Sequence, residues 1–236
     1  MTPKDLALAV RHAFWAACAV GGVTLLSTAV LAQDGPQVAA IDQAMPMDHS
    51  HCAAMAAAAS TEGYKRTLHS YDAIPDLVLT DADAQPVRLR ELLAGDDPVM
   101  LNFIFTTCTT ICPVMTKVFA DARTILGHEA DKLRMVSISI DPENDTSAQL
   151  HAYARKFGAD SHWTFLTGRV PDVAAVQRAF DAYDSDKMNH QPLTLLRATP
   201  GGKWLRIDGF ATPEQLAGEY RATLSQDGAT DRQAGL

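Results

Sequence analysis

Two hydrophobic patterns alternate along the central part of this chain. Mostly apolar runs at 99–105, 135–140 and 163–166 are typical of buried strands. Each run is followed by a stretch with apolar residues at helical spacing. The first of these stretches begins after Cys112, with Pro113 at its expected first position. Strands that alternate with helices predict an α/β protein in which helices cover both faces of a central mixed sheet.

Shorter patterns on either side of this region add antiparallel strands. Residues 77–79 and 87–89 flank a polar turn, and residues 192–196 and 203–207 bracket a Pro-Gly-Gly turn. Each pair therefore predicts a hairpin. The segment Thr146–Gln149 has the pattern of a capping box, which predicts a helix that begins directly after it.

Composition divides the chain into four parts. Lys4 and Arg11 precede a mostly apolar stretch that is typical of a secretory signal peptide, with an uncleaved membrane anchor as the alternative. The Ala-rich stretch that follows has no sustained apolar pattern and predicts a flexible tether. The predicted parts are a signal peptide or N-terminal anchor at 1–32, a Met-, His- and Cys-containing tether at 33–66, a folded domain at 67–225 and a C-terminal tail at 226–236.

The N-terminal segment indicates the cellular compartment, and the net charge limits the kinds of partner. An export signal predicts a periplasmic protein that is either soluble after cleavage or anchored to the inner membrane. Contact with a membrane is expected only through such an N-terminal anchor. The net charge is −8 and no block of Lys and Arg could track a phosphate backbone, so nucleic acid is not an expected partner.

The cysteines carry the candidate chemistry. Cys18 lies in the targeting segment, and the odd number that remains argues against a framework of structural disulfides. Cys108 and Cys112 lie where a predicted strand ends and a helix begins. Amide hydrogens at a helix N-terminus favour a thiolate, here at Cys112. The pair predicts a redox function or a soft-metal site, with a static disulfide as the structural alternative, and the order of attack on a substrate stays open.

Three features occur in the order of a known family. They are the motif Phe-Ile-Phe-Thr-Thr-Cys108-Thr-Thr-Ile-Cys112-Pro, the motif Ser-Ile-Asp141-Pro-Glu-Asn-Asp145-Thr, and the lone His190 before a strand. This combination resembles the SCO/SenC family of copper chaperones for cytochrome c oxidase assembly. The resemblance implies a thioredoxin-like fold for the copper-binding domain and implies Cys108, Cys112 and His190 as copper ligands. It also implies a partner, which is the copper-bearing subunit of the oxidase or another copper protein.

The ligand chemistry of these three residues agrees in part with this resemblance. Two thiolates and one imidazole form a soft ligand set that suits Cu(I) and is able to hold Cu(II). Zinc uses the same ligands together with a water and remains an alternative. The chain departs from the family in carrying Thr109–Ile111 where Pro-Asp is common. The Gln191–Pro192 peptide bond lies beside His190, and a cis geometry is one alternative for it.

Soft ligands are also concentrated in the predicted tether. Its thioether, imidazole and thiol groups predict an accessory copper site that collects copper for the core site, and an ordinary low-complexity linker is the alternative. The candidate accessory ligands are Met45, Met47, His49, His51, Cys52 and Met55.

The leading prediction is therefore an exported metallochaperone rather than an enzyme. The alternative is a periplasmic thiol-disulfide oxidoreductase in which Cys108 and Cys112 form the catalytic redox pair. Asp141 and Asp145 are interpreted as parts of a turn before a capped helix. Met188 is expected to pack or to be exposed to solvent rather than to bind metal.

Overall fold

A mixed sheet forms the centre of the folded part of the chain. The computed structural model describes residues 63–234, with side chains up to residue 225. The strands are β1 (Tyr64–His69), β2 (Val78–Asp81), β3 (Pro86–Arg88), β4 (Val99–Ile104), β5 (Arg134–Ser139), β6 (Trp163–Thr167), β7 (Leu193–Arg197) and β8 (Trp204–Gly209). They lie in the order β1-β8-β7-β4-β5-β6-β2-β3. β4, β5 and β6 are parallel, whereas the other neighbouring strands pair antiparallel.

Helices cover both faces of this sheet, which confirms the predicted α/β architecture. The helices are α1 (Leu89–Ala94), α2 (Ile111–Leu126), α3 (Ser147–Lys156), α4 (Val170–Ala179) and α5 (Pro213–Ala234), with 3-10 helices at Gly127–Lys132 and Lys187–Asn189. Phe119 of α2, Leu150 of α3 and Leu216 of α5 belong to the core on one face. Leu93 of α1 and Val176 of α4 belong to the core on the other face.

The central strand explains why its sequence is almost uniformly apolar. All six residues of β4 are buried, because the strand has a neighbour on each side and helices on both faces. Asn102 is the polar exception. Its Oδ1 accepts a hydrogen bond from Ser137 Oγ at 2.7 Å, and Ser137 Oγ accepts one from Trp163 Nε1 at 3.0 Å. This short network satisfies part of the buried polar surface in the core.

Several strands begin or end at one edge of the sheet, which we call the site edge. β4 and β5 both end there because they are parallel, and β7 begins there because it runs antiparallel to β4. β8 ends and β1 begins at the same edge. The loop after β4 carries Cys108 and leads into Cys112 at the start of α2, the loop after β5 carries Asp141 and Asp145, and the segment before β7 carries His190. The topology thus gathers all of them at the edge where such sheets bind ligands.

Element boundaries differ from the predictions most clearly at α2, β1 and α5. α2 begins at Ile111 rather than at Pro113, which a proline tolerates because backbone N–H groups of the first helical turn have no partner within the helix. β1 begins at Tyr64, inside the segment predicted as tether, and α5 continues past the predicted end at 225. The Gln191–Pro192 bond is trans, so the cis alternative is wrong.

Other predictions concern parts of the chain outside the described residues. The signal peptide or anchor at 1–32 and the accessory ligands between Met45 and Met55 fall there. Between residues 63 and 234, no helix is long and apolar enough to cross a membrane.

Candidate metal centre

Cys108 lies in the tight loop between β4 and α2, and Cys112 is the second residue of α2. We call residues 105–112 the cysteine loop. The backbone N–H of Cys108 donates to the carbonyl oxygen of Phe105 at 3.2 Å, which closes a turn at the end of the strand. The backbone N–H of Cys112 donates to Cys108 Sγ at 3.5 Å. Both thiols are free, and Cys108 is 8% exposed whereas Cys112 is 1% exposed. The fold therefore brings the two sulfur groups together with Cys108 nearer to solvent.

The surroundings give the two thiols different proton affinities. Burial raises the pKa of Cys108, but hydrogen bonds from Cys112 and Thr110, whose hydroxyl lies 3.6 Å from Cys108 Sγ, lower it to a net value below normal. Burial, with the neighbouring Cys108 sulfur and Asp145 carboxylate as smaller causes, raises the pKa of Cys112 to about 12, although a hydrogen bond with the Phe105 backbone opposes this effect. The thiolate therefore forms at Cys108 while Cys112 keeps its proton.

This result corrects the expectation that the helix N-terminus favours a thiolate at Cys112. Cys112 is the second residue of α2, and its side chain enters the core. Desolvation of the charged form outweighs the helix dipole there. The amide hydrogen of Cys112 instead stabilises negative charge on Cys108. The helix N-terminus does favour a thiolate, but on the cysteine that precedes the helix.

Asp145 fixes the cysteine loop, a role that the sequence reading missed. Its carboxylate is fully buried and accepts hydrogen bonds from Thr106 N at 3.0 Å, Thr106 Oγ1 at 2.5 Å and Ser139 Oγ at 2.6 Å. The predicted capping box at Thr146 and Gln149 is confirmed. That box accounts for the helix start only, whereas Asp145 ties the loop after β5 to the loop after β4. The sequence does place Asp145 between the end of β5 and the helix cap at Thr146, which is the one feature that could have indicated this role.

Asp141 has a matching role toward the other part of the site. Its side chain is 4% exposed and accepts hydrogen bonds from Asn144 Nδ2 at 3.0 Å and from Lys187 Nζ at 2.5 Å. Lys187 precedes His190 by three residues in the stretch 184–190, which we call the histidine segment. The interpretation of Asp141 as a turn residue is therefore incomplete, because this carboxylate also anchors the segment that carries the predicted histidine ligand.

His190 is held by a hydrogen bond to the sheet. Its Nε2 lies 3.0 Å from the carbonyl oxygen of Phe103, at the end of β4. The carbonyl oxygen accepts only, so Nε2 carries the hydrogen and the neutral ring keeps a lone pair on Nδ1. Burial lowers the pKa of His190, although the hydrogen bond to Phe103 opposes this effect. The ring is therefore neutral at pH 7, which is the form that binds metal ions.

The carbonyl oxygen of Phe103 faces the β7 side of β4. The carbonyl of Ile104 accepts from the N–H of Ile140 on the β5 side, so the preceding carbonyl of Phe103 points toward β7. The imidazole of His190 donates to this carbonyl.

The predicted ligands come together only in part. Cys108 and Cys112 are in contact, whereas no three His, Cys, Asp or Glu residues within the described part of the chain form a group that could hold a metal ion. His190 lies on the neighbouring histidine segment, where its Nε2 donates to the carbonyl oxygen of Phe103. Coordination by all three groups requires the ring and the sulfur atoms to come closer together. Met188 is 73% exposed, as expected.

The family profile of SCO1/SenC matches residues 66–225, which is more than half of the chain. Over 70 residues the chain is 43% identical to the SCO1 protein homolog of Bacillus subtilis (strain 168), an alignment that covers 29% of this chain and 36% of that protein. The chain thus aligns with about a third of the length of curated relatives such as this one.

Solved structures share the fold over a longer range. ScoI of Arabidopsis thaliana, with copper bound, is 25% identical and superposes with a TM-score of 0.55 over 65% of this chain and 99% of its own. BsSco, a member of the Sco family of cytochrome c oxidase assembly proteins in which a disulfide switch was identified, is 26% identical with a TM-score of 0.54, over 70% of this chain and 95% of its own. The thioredoxin-like fold is confirmed, and the chain belongs to the SCO1/SenC family.

Proposed function

We propose that this protein is an exported copper-binding chaperone that delivers copper to, or matures, the binuclear copper site of cytochrome c oxidase. One observation carries the proposal. Two cysteines of different proton affinity are in contact at the site edge of an SCO1/SenC domain, and the more exposed one is the better thiolate. Copper bound to the related ScoI structure supports copper as the cargo.

The proposed ligands are Cys108, Cys112 and His190. Thiolates and imidazole suit Cu(I), and the same groups can hold Cu(II). Cys108 binds first, because its thiol has the lower pKa of the two, and metal binding then displaces the proton of Cys112. His190 offers Nδ1, since Phe103 occupies Nε2. A site with three protein ligands can pass its metal to an acceptor by ligand exchange.

The tether is proposed as a copper-collecting segment. Its candidate ligands between Met45 and Met55 are of the soft and borderline types that copper prefers. We expect deletion of residues 33–61 to lower the copper stoichiometry and slow the loading of the core site. Unchanged stoichiometry and loading rate would remove this role while leaving the core site intact.

Copper titration of the reduced protein tests the core site. We expect Cu(II) to produce a strong thiolate-to-copper absorption band in the wild type and in the variant that lacks residues 33–61. The double variant Cys108→Ser/Cys112→Ser should lose the band, and His190→Ala should shift or weaken it. A matched Cys52→Ser variant should keep it. A band that survives the double variant would place copper elsewhere and contradict the proposal.

A thiol-disulfide oxidoreductase is the second candidate, because the structure suggests an order for the two thiols. The Cys108 thiolate would attack a substrate disulfide, forming a mixed disulfide and releasing one substrate thiolate. Cys112 would then lose its proton and attack Cys108 Sγ, which releases the second substrate thiol and leaves Cys108 and Cys112 joined. The substrate is reduced and the cysteine pair is oxidised. Brisk disulfide reduction without a copper band would favour this function.

A further inference from the structure

The histidine segment has only one cation among its acidic residues. Asp184 and Asp186 lie on the segment, and the loop after β5 that it approaches carries Asp141 and Glu143. Carboxylates on both sides repel each other at short range. Lys187 lies between these groups, where its ammonium group turns repulsion into attraction.

The contacts of Lys187 reach both halves of the site. Its Nζ lies 2.5 Å from Asp141 Oδ2, on a carboxylate that is almost completely buried. The same Nζ lies 5.6 Å from the centre of the Phe105 ring, at the start of the cysteine loop. Because Phe105 O also accepts the hydrogen bond from Cys108 N, Lys187 packs directly against the turn that holds the cysteines.

Burial makes this ion pair stronger than an ordinary surface pair. Asp141 is 4% exposed, so water screens its charge little. A hydrogen bond from Asn144 Nδ2 also holds the carboxylate in a fixed orientation. The Lys187 side chain is 36% exposed, and its ammonium group lies over the Phe105 ring. A pair of this kind can restrain the segment on which it lies.

We propose that Lys187 is a positioning residue that, through its ion pair with Asp141, keeps the histidine segment against the cysteine loop so that His190 can reach copper. The inference rests on the proposed function of the site, because it concerns one of the three proposed ligands. The ring of His190 must approach the sulfur atoms on metal binding. The ion pair fixes the base of the segment three residues away, so only the ring and its immediate backbone need to move.

Copper affinity in a double-mutant cycle tests the proposal. In the full chain we expect Lys187→Met to lower Cu(II) affinity by about tenfold, the scale known for groups that orient metal ligands. The methionine keeps an unbranched side chain of similar length while removing the charge. Lys187→Arg should restore most of the affinity. Lys203→Met removes the same charge from the turn between β7 and β8, at the opposite end of these strands, and should bind copper like the wild type.

The cycle also separates positioning from a general structural effect. In a His190→Ala background, Lys187→Met should have no further effect, because the residue that it positions is gone. An equal loss of affinity in both backgrounds, or wild-type affinity in Lys187→Met, would overturn the proposal. Electron paramagnetic resonance of the Cu(II) complex should show weaker nitrogen coupling in Lys187→Met than in Lys203→Met.

A copper-free measurement keeps this inference distinct from the proposed function. The backbone N–H of His190 donates to the carbonyl of Lys187 at 3.2 Å, so its hydrogen exchange reports on the segment. We expect faster exchange in Lys187→Met than in Lys203→Met. Equal exchange would overturn the restraint even if the cysteines bind copper. A wild type without a cysteine-dependent copper band would instead overturn the proposed function and, with it, the role of His190 as a ligand.

Discussion

The cysteine loop and the histidine segment meet at the same edge of the sheet but are held in different ways. The cysteine loop is anchored from below by Asp145, a fully buried carboxylate that accepts hydrogen bonds from Thr106 and Ser139. The histidine segment lies closer to solvent, with Met188 73% exposed, and is anchored by Lys187 on Asp141 and by His190 on Phe103.

This difference separates a fixed half of the site from an adjustable half. Groups with many buried contacts open only at a free-energy cost close to that of global unfolding, whereas segments with few contacts open at much lower cost. The sulfur pair is therefore preorganised, and we expect the imidazole to be the group that moves if the proposed site binds copper. Such a division suits a site that has to accept a metal ion and release it again.

The largest effect that tests this comparison is the reactivity of the two thiols. Because the pKa of Cys112 is raised to about 12 and that of Cys108 is lowered, we expect iodoacetamide at pH 7 to label Cys108 at least about a thousandfold faster, since each pKa unit changes the thiolate fraction tenfold. Mass mapping of the alkylated peptides measures the ratio. Labelling in denaturant should be similar at both positions. Equal rates in the folded protein would contradict a fixed, buried Cys112.

The same substitution in each half should have unequal effects on stability. Asp145→Ala leaves the Thr106 N–H and two hydroxyl groups without their acceptor in the core, so we expect a loss of about 3 kcal/mol in the free energy of unfolding. Asp186→Ala removes only a helix cap, the acceptor of Met188 N–H, and should cost about 1 kcal/mol or less. Urea unfolding of the copper-free proteins measures both. Similar losses would mean that the two halves are held equally firmly.

The smallest expected effect is a pH dependence from His190. Burial lowers its pKa in the folded state, so as pH falls the unfolded chain takes up the proton first, near pH 6.5. The stability that the neutral ring contributes is present above that pH and is lost as pH falls below it. Urea unfolding at pH 7.5 and at pH 5.5 measures this loss in the wild type. The variant His190→Gln should lack this part of the pH dependence, because its amide keeps a donor but does not titrate. The same pH dependence in His190→Gln as in the wild type would show that the ring is not buried.

The sequence allowed the centre of the fold to be predicted from local patterns. The apolar run of β4, the hairpin of β7 and β8 and the cap at Thr146 each depend on neighbouring residues, and each is confirmed. β1 was missed because it is an edge strand. Its residues are mostly polar and Leu68 is 57% exposed, so no buried face marks the sequence.

The candidate site could be predicted only as far as its chemistry is local. Cys108 and Cys112 are close in sequence, and their contact follows from the loop that joins strand and helix. The depth of Cys112 in the core, which sets its pKa, depends on packing across the whole molecule. Lys187 and Asp141 are separated by 46 residues, so nothing in either local sequence indicates that they pair.

The position of β1 determines how far the preceding chain must extend to reach the site. Tyr64 pairs with Gly209, so the described domain begins at the site edge rather than at the opposite end of the sheet. Only β8 and β7 separate β1 from β4, which amounts to roughly 14 Å across three strand spacings. A dozen extended residues reach about 40 Å. A thiol or thioether located that far before Tyr64 therefore has enough chain to touch Cys108 without the domain having to change shape.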